Sequence, residues 1–299
     1  MIRLAIRVAR PEAELVLAEL LELTPAGVEE TDGEGDTVEY AIYGAPGELP
    51  GLPDLQAVVG SSLVEVSTSE VPDDWHERWK RFHHPILIVP PAAGAAGIAR
   101  PPALHVRPPW EAPSTPTPRQ DVREIVIDPG QAFGTGAHAS TRMCIELLLD
   151  LAAQQQPGGP LIDIGTGSGV LAIAAALLGF APVLGLDNEQ ESVVAAGENA
   201  EVNGVEIEVR RFDLRSQPVP WLEDEIDRAA APVVLANLLR PLLLELALKM
   251  PVAPSQLIAS GLLVEEVDEV VAAFTSRLGL HERSRRQSGE WAAVWLAYS

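Results

Sequence analysis

A glycine-rich turn after an apolar run carries the strongest chemical signal in the sequence. Residues 161–164 (LIDI) predict a buried strand, and Gly165, Gly167 and Gly169 follow at every second position. Glycines let a backbone pass close to a ligand where a Cβ atom would collide. Val170 stands where the G-x-G-x-x-G pattern of nicotinamide-binding turns has its last glycine. The spacing therefore predicts a ligand-binding turn of another type, with a purely structural turn as the alternative.

A carboxylate closes the next predicted strand. Asp187 ends the run VLGLD, 22 residues after Gly165. A carboxylate at this position can accept hydrogen bonds from both hydroxyls of an adenosine ribose. It can also cap the helix that is predicted to start near Glu189. Dehydrogenases and methyltransferases share this acid, so it indicates a nucleoside ligand without separating the two enzyme classes.

Two further segments bring polar groups to the same expected edge of a sheet. Residues 128–141 (DPGQAFGTGAHAST) combine glycines, Phe133 and short polar side chains just before a predicted helix. A loop at this place can fold over a bound cofactor and exclude water. We interpret its His138 as structural rather than as a catalytic base. Asn237 lies in the run 233–239 (VVLANLL), at the carboxyl end of a predicted strand, where ligands of open parallel sheets bind.

An alternating frame of strands and helices is needed to position these residues. From Arg123 onward, apolar runs alternate with helical patterns, which is typical of a doubly wound, mostly parallel sheet with an antiparallel strand at its end. Arg283, Arg285 and Arg286 are interpreted as a solvated turn. The predicted strands are 124–127, 161–164, 183–186, 206–212, 233–236, 257–260 and 291–297, and the predicted helices are 140–153, 170–178 and 189–202.

The chain divides into three predicted parts. Residues 1–71 predict a small α/β domain in the order of a ferredoxin-like sandwich, with a strand, a helix over 12–23, two strands, a short helix over 52–59 and a last strand. Residues 72–122 predict a linker that contains a Trp-rich helix and a Pro/Ala-rich segment. Residues 123–299 form the doubly wound domain.

Composition limits the partners and the compartment. The net charge of -22 arises from 43 acidic and 21 basic residues. Such a surface repels phosphate backbones, so we expect a basic protein as partner and no direct nucleic-acid contact, unless the acidity only keeps the chain soluble. The single cysteine, Cys144, excludes an internal disulfide and predicts a reducing compartment. We expect a cytoplasmic monomer without a membrane span or a metal site.

Several of these segments, in this order, resemble the bacterial ribosomal protein L-eleven methyltransferase family, the PrmA type. The resemblance spans residues 73–297 and is carried by DDWHERWKRFHHP, DPGQAFGTGAHAST, LIDIGTGSGVLAIAAALLG, GLDNEQESVVAAGENAEVNGV, VLANLLRPLLLELA, ASGLLVEEVDEV and GEWAAVWLA. The FGTG-x-H loop beside this glycine turn is far more specific than either segment alone. The N-terminal part is similar in topology more than in residues.

The resemblance implies a class I methyltransferase that uses S-adenosylmethionine to methylate lysine side chains and the N-terminal amine of the L-eleven protein. The N-terminal domain would hold that substrate, and Asn237 is the candidate for orienting the acceptor amine. Residues implied to contact the cofactor are Thr141, Gly165, Gly167, Asp187 and Asn237, and residues implied to line the closing loop over it are Phe133, Gly134 and Thr135.

Alternative functions stay open at this point. A class I methyltransferase with another target is one, although a glutamine enzyme would show Asn-Pro-Pro-Tyr where this chain has Asn237-Leu-Leu-Arg240. A non-catalytic adaptor with the same fold is a second, and a nicotinamide dehydrogenase, disfavoured by Val170, is a third. Apparent insertions relative to the family, within 90–119 and 213–232, leave the substrate more open than the cofactor.

Overall fold

In the computed structural model of this protein, the chain divides between Phe82 and His83 into two units. The predicted short helix at 52–59, the Trp-rich helix and most of the glycine loop lie outside the described residues. The residues that the structure describes are 2–10, 13, 16, 20, 29–32, 36–44, 49, 63–70, 84–92, 94–113, 121–129, 138–220 and 231–298.

The first unit contains a four-stranded antiparallel sheet with the order β2-β3-β1-β4. This is the strand order of the predicted ferredoxin-like sandwich. The strands are β1 (Ile2–Ala9), β2 (Glu29–Asp32), β3 (Thr37–Gly44) and β4 (Leu63–Glu70). Ala13, Val16 and Leu20, at helical spacing, pack with Ile6 and Tyr40 in its core. The buried positions of this helical stretch therefore include Ala13 and Val16, which its leucine pattern did not indicate.

The second unit begins with a small sheet in a segment that was predicted to be linker. It consists of β5 (Ile86–Ile88), β6 (Ala103–Arg107) and β7 (Val122–Val126). Leu104, Val106 and Ile125 are fully buried in the same apolar cluster as the main domain. Residues 84–113 therefore belong to the second unit, and its boundary lies about 40 residues before the predicted one. Proline and alanine density concealed the short apolar strands that anchor this segment.

The main sheet has seven strands in the order β10-β9-β8-β11-β12-β14-β13. It is parallel except for β14, which runs antiparallel to both of its neighbours. This arrangement matches the doubly wound sheet with a reversed strand near its end. Its strands are β8 (Leu161–Ile164), β9 (Val183–Asp187), β10 (Glu208–Arg211), β11 (Val233–Asn237), β12 (Gln256–Leu263), β13 (His281–Ser288) and β14 (Trp291–Ala297).

Helices cover both faces of this sheet. Along β11, Val233 and Leu235 face one apolar cluster and Val234 and Ala236 face the other, as the two-residue period of a strand requires. The first cluster includes α1 (Ala139–Gln154) and α2 (Val170–Leu178), and the second includes α4 (Arg240–Lys249) and α5 (Val267–Leu278); α3 (Gln190–Val202) follows β9. No helix among the described residues is long and apolar enough to cross a membrane.

The edge strand β13 was not predicted from the sequence pattern. The segment HERSRRQS lacks apolar alternation because most of its side chains are exposed. Its backbone nevertheless pairs with β14 along its whole length. Arg286 also forms an ion pair with the half-buried Asp150 of α1. The arginines that suggested a solvated turn therefore lie on a paired strand.

Candidate functional site

The glycine turn lies where the strand order of the main sheet changes direction. β8 pairs with β9 on one side and with β11 on the other, which opens a crevice at their carboxyl ends. The backbone N–H groups of Gly165 and Thr166 both donate to the Leu186 carbonyl, at 2.8 and 2.9 Å. Gly165 has a φ of +76°, and a Cβ there would lie 2.5 Å from Leu238 Cδ2. Only glycine fits this position without strain.

Asp187 joins the glycine turn to the end of β9. Its Oδ2 accepts a hydrogen bond from Gly167 N at 2.8 Å, and its Oδ1 accepts one from Glu189 N at 3.1 Å. The carboxylate therefore binds the backbone N–H of the residue that precedes α3 and also lines a cavity, and its contact with a ribose stays a prediction. Each oxygen retains lone-pair capacity beyond the single bond to a backbone N–H.

Asp163, the third residue of β8, is a buried acid directly beneath the turn. It is fully buried, and Thr166 Oγ1 donates to its Oδ2 at 2.7 Å. Burial raises the pKa of Asp163 to about 7, and the Thr166 hydroxyl offsets part of that effect. The pKa of this carboxyl therefore lies near neutral pH, and its hydrogen bond to Thr166 holds the turn from the buried side.

Asn237 and Thr141 meet although they lie far apart in sequence. Asn237 ends β11, and its Nδ2 donates to Thr141 Oγ1 in the first turn of α1 at 3.2 Å. Thr141 is 1% exposed, and it lies behind Asn237 rather than among the residues that line the cavity. This bond uses one amide N–H of Asn237, and Gly261, which lies beside Asn237 Oδ1, also lines the cavity.

His138 has the structural role that was expected from its sequence context. It is the N-cap of α1, and its Nδ1 lies 3.3 Å from the Ser140 backbone N and 2.7 Å from Ser140 Oγ. Its ring also packs edge-on against Trp291, with ring centroids 4.8 Å apart. Both rings line the cavity, so His138 and Trp291 together form part of its wall.

A single cavity of about 620 Å³ brings most of these residues together. This is within the usual volume range of small-molecule sites. Polar groups of Asp187 and Asn237 contribute to a lining that is otherwise mainly apolar. The lining residues are His138, Ser140, Gly165, Gly167, Asp187, Asn188, Glu189, Ser192, Asn237, Leu238, Leu239, Leu242, Gly261 and Trp291.

The structure therefore groups four of the predicted site residues, Gly165, Gly167, Asp187 and Asn237, around one cavity. Thr141 does not line the cavity itself, but it accepts a hydrogen bond from Asn237, which does. Phe133, Gly134 and Thr135 lie outside the described residues, so their predicted contacts stay predictions. Among the described residues, no three His, Cys, Asp or Glu side chains cluster in a way that could hold a metal ion.

Two groups near this cavity were not predicted from the sequence. A smaller pocket of about 140 Å³ shares Gly165 and Asp187 with it and adds Phe212 and Asp213 after β10. Asn199 of α3 hydrogen-bonds to the carbonyl of Ser168 inside the glycine turn. The spacing of Ala196, Asn199 and Asn203 on one helix face, in the sequence AGENAEVN, was the available signal for the second group.

Several known proteins are similar in sequence to this chain. The family model of the ribosomal protein L11 methyltransferase (PrmA) matches residues 53–298. The chain is 38% identical over 227 residues to the ribosomal protein L11 methyltransferase of Heliobacterium modesticaldum, across 74% of this chain and 63% of that protein, which is less than two thirds of its length. It is 32% identical over 288 residues to that of Sorangium cellulosum, across 91% and 82%.

A solved structure agrees with these relatives. The crystal structure of ribosomal protein L11 methylase from Lactobacillus delbrueckii subsp. bulgaricus aligns with a TM-score of 0.52 and 26% identity, across 68% of this chain and 96% of that chain. The resemblance carried by the sequence motifs is confirmed, as is the class I methyltransferase fold that it implied. The chain belongs to the ribosomal protein L11 methyltransferase family.

Proposed function

We propose that this protein transfers methyl groups from S-adenosylmethionine to amino groups of ribosomal protein L11, on lysine side chains and at the N-terminus. The observation that carries the proposal is the cavity that links Asp187 to Asn237 across the switch point of the sheet. A nucleoside-binding carboxylate lies on one side of this cavity. An amide able to orient an amine lies on the other. The family relationship supports the choice of donor and substrate.

The lining of the cavity fits the proposed methyl donor. Gly165 and Gly167 expose backbone where a ligand can approach closely, and Asp187 offers carboxylate oxygens suited to ribose hydroxyls. The adjoining pocket beside Phe212 and Asp213 extends the space past Asp187. When bound, S-adenosylmethionine supplies an electrophilic methyl carbon, which is transferred to the amine nitrogen as its bond to the sulfonium sulfur breaks and the amine releases a proton.

The residues around Asn237 suit an amine acceptor. A lysine in water has a pKa of about 10.4, and the amine must lose its proton before it can attack carbon. Leu238 and Trp291 contribute apolar surface to the cavity lining, and desolvation lowers the pKa of an ammonium group. Oδ1 of Asn237 can accept an N–H of the neutral amine and orient its lone pair. No dedicated base is assigned, because alignment and desolvation account for the step.

The proposal also gives the first unit the task of recruiting the substrate. One face of its sheet carries paired charges, in which Glu39 bridges Arg3 and Arg7 at 2.7 and 3.1 Å. Such a rigid polar face on a four-stranded sheet is suited to protein recognition. We expect intact L11 to be methylated at a much lower KM than a peptide with its N-terminal sequence, with similar kcat. Equal KM values for the two substrates would contradict the recruiting role.

The test of the reaction uses isotopically labelled S-adenosylmethionine and ribosomal proteins from a strain that lacks this gene, followed by mass spectrometry. Label on lysines and on the N-terminus of L11 is the expected result, and the Asp187→Ala variant is the matched negative control. Cofactor binding without label on L11 would move the target to another molecule. No cofactor binding would favour a non-catalytic adaptor.

The same assay addresses the partner of the reaction. The acidic composition favours a basic ribosomal protein before its assembly with RNA over contact with RNA itself. We therefore expect free L11 to be a better substrate than assembled large subunits. We propose that the reaction takes place in the cytoplasm, in line with the single, buried Cys144, and that the protein acts as a monomer.

A further inference from the structure

Two asparagines of α3 take the place of a neighbouring strand along the outer edge of β7. Val126 N donates to Asn203 Oδ1 at 2.8 Å, and Asn203 Nδ2 donates back to the Val126 carbonyl at 2.7 Å. One turn earlier, Asn199 Oδ1 accepts from Asp128 N at 3.1 Å. Four residues of helix span about 6 Å and two residues of strand about 6.6 Å, so the spacings agree.

Asn199 differs from Asn203 because it also reaches the glycine turn. Its Nδ2 donates to the carbonyl of Ser168 at 2.9 Å, between Gly167 and Gly169. Asn199 is 4% exposed and Ser168 is fully buried, so water does not compete for this bond. The buried carboxamide of Asn199 therefore connects the glycine turn to Asp128, two residues past the end of β7.

The same helix face packs directly against the turn. A Cβ atom at Gly169 would lie 3.0 Å from the Cβ of Ala196, which precedes Asn199 by three residues. Gly167 and Gly169 both have positive φ values, +53° and +81°. A turn of this kind has other backbone conformations open to it, and contacts from outside the turn must select one of them.

We propose that Asn199 is a positioning residue for cofactor binding, which holds the glycine turn in its binding conformation through the Ser168 carbonyl. The inference rests on the proposed function, since it takes the turn to be the S-adenosylmethionine site. Without this anchor, the binding conformation is only one of several, and the apparent Kd rises in inverse proportion to its population. Asn199 does not touch the cavity at the acceptor end, so the chemical step itself is unaffected.

The first test replaces Asn199 by Asp. The substitution Asn199→Asp preserves shape and the acceptor for Asp128 N–H, but it removes the donor and turns a carboxylate toward the Ser168 carbonyl. We expect the Kd for S-adenosylhomocysteine, measured by calorimetry, to rise about tenfold, as loss of one buried hydrogen bond predicts. The KM for S-adenosylmethionine should rise by the same factor, while kcat at saturation stays within about twofold of wild type.

The matched control is Asn203→Asp, which makes the same chemical change one turn later on the same helix. Asn203 contacts β7 and the Asn199 carbonyl, and none of its described hydrogen bonds reaches the glycine turn. We expect its thermal stability to fall while the Kd stays within about twofold of wild type. A purely structural role for Asn199 would make the two variants alike, with lower stability and equal Kd.

A second pair of variants keeps the test decisive if the introduced carboxylate prevents folding. Asn199→Ser and Asn203→Ser are smaller and uncharged, and the same difference in Kd is expected between them. Wild-type affinity in folded Asn199→Asp or Asn199→Ser would overturn the inference, as would failure of both to fold while the Asn203 variants fold. Failure of the wild-type protein to bind S-adenosylhomocysteine would instead overturn the proposed function.

Discussion

Asn237 Nδ2 donates a hydrogen bond to Thr141 Oγ1 at 3.2 Å, across 96 residues of sequence. The bond joins the end of β11 to the first turn of α1 and fixes the amide at the proposed acceptor end of the cavity. Thr141 is buried and Asn237 is partly exposed to the cavity. The pair therefore consists of a fixed support and a side chain that a substrate can reach.

Removal of the Asn237 amide should affect turnover more than folding. For Asn237→Ala we expect kcat for L11 methylation to fall about 100-fold, because the acceptor amine loses its orienting group. Thr141→Val keeps the side-chain shape and removes only the hydroxyl that accepts the hydrogen bond from Asn237, so we expect kcat to decrease about fivefold. Label transfer under saturating cofactor measures both. Full turnover with unchanged cofactor affinity in Asn237→Ala would remove Asn237 from the mechanism.

Asp187 should control cofactor affinity because it serves the turn and the ligand together. Asp187→Ala leaves the N–H groups of Gly167 and Glu189 without their carboxylate. Charge-assisted bonds of this kind contribute about 1.5–3 kcal/mol each. We expect the Kd for S-adenosylhomocysteine to rise about 100-fold, as measured by calorimetry. Glu201→Gln, an exposed change on α3, is the control, and equal affinities in the two variants would contradict this role.

Substitution of Gly165 tests whether the close contact between the end of β8 and Leu238, just after β11, requires a residue without a side chain. Gly165→Ala places a methyl group against Leu238 Cδ2 and forces alanine to a φ of +76°. We expect the free energy of unfolding in urea to fall by about 2 kcal/mol. Leu238→Ala in the same chain should restore the part of the unfolding free energy that is lost to the steric contact. The part that is lost to the positive φ should remain. A fully additive double mutant would show that the two side chains do not interact.

Asp163 should make stability depend on pH. Burial raises its pKa from 3.8 to about 7. The folded protein therefore retains a proton that the unfolded chain releases above about pH 4, and the free energy of unfolding falls as pH rises from about 4 to about 7. The total effect is roughly 4 kcal/mol. Above about pH 7 both states are ionised and the contribution levels off.

The isosteric variant Asp163→Asn isolates this effect. An amide oxygen can still accept the hydrogen bond from Thr166 Oγ1, and no ionisation remains at that position. Urea unfolding at about pH 5 and about pH 8 should show a smaller decrease in stability for the variant than for the wild type. Identical differences between the two pH values in both proteins would place the titrating group elsewhere.

Local patterns in the sequence alone predicted β8, the glycine turn that follows it and the neighbouring strand β9. The buried strand at 161–164, the glycines after it and Asp187 at the end of the next strand are close in sequence, and a βαβ unit can adopt only one handedness in practice. Because this order is short-range, the position of Asp187 beside Gly167 is predictable from the sequence. The final strand is equally visible, because WAAVWLA is continuously apolar.

Only the tertiary structure decided which distant groups meet. No local pattern shows that Thr141 supports Asn237, or that Asn199 bonds to Ser168, because these pairs depend on how helices pack on the sheet. The same holds for β13, whose exposed polar side chains conceal a strand that exists only through its pairing with β14. The segment 84–113 belongs to the second unit for the same reason. Its few apolar residues form strands of a folded unit because α1 and the main sheet supply the apolar surface against which they are buried.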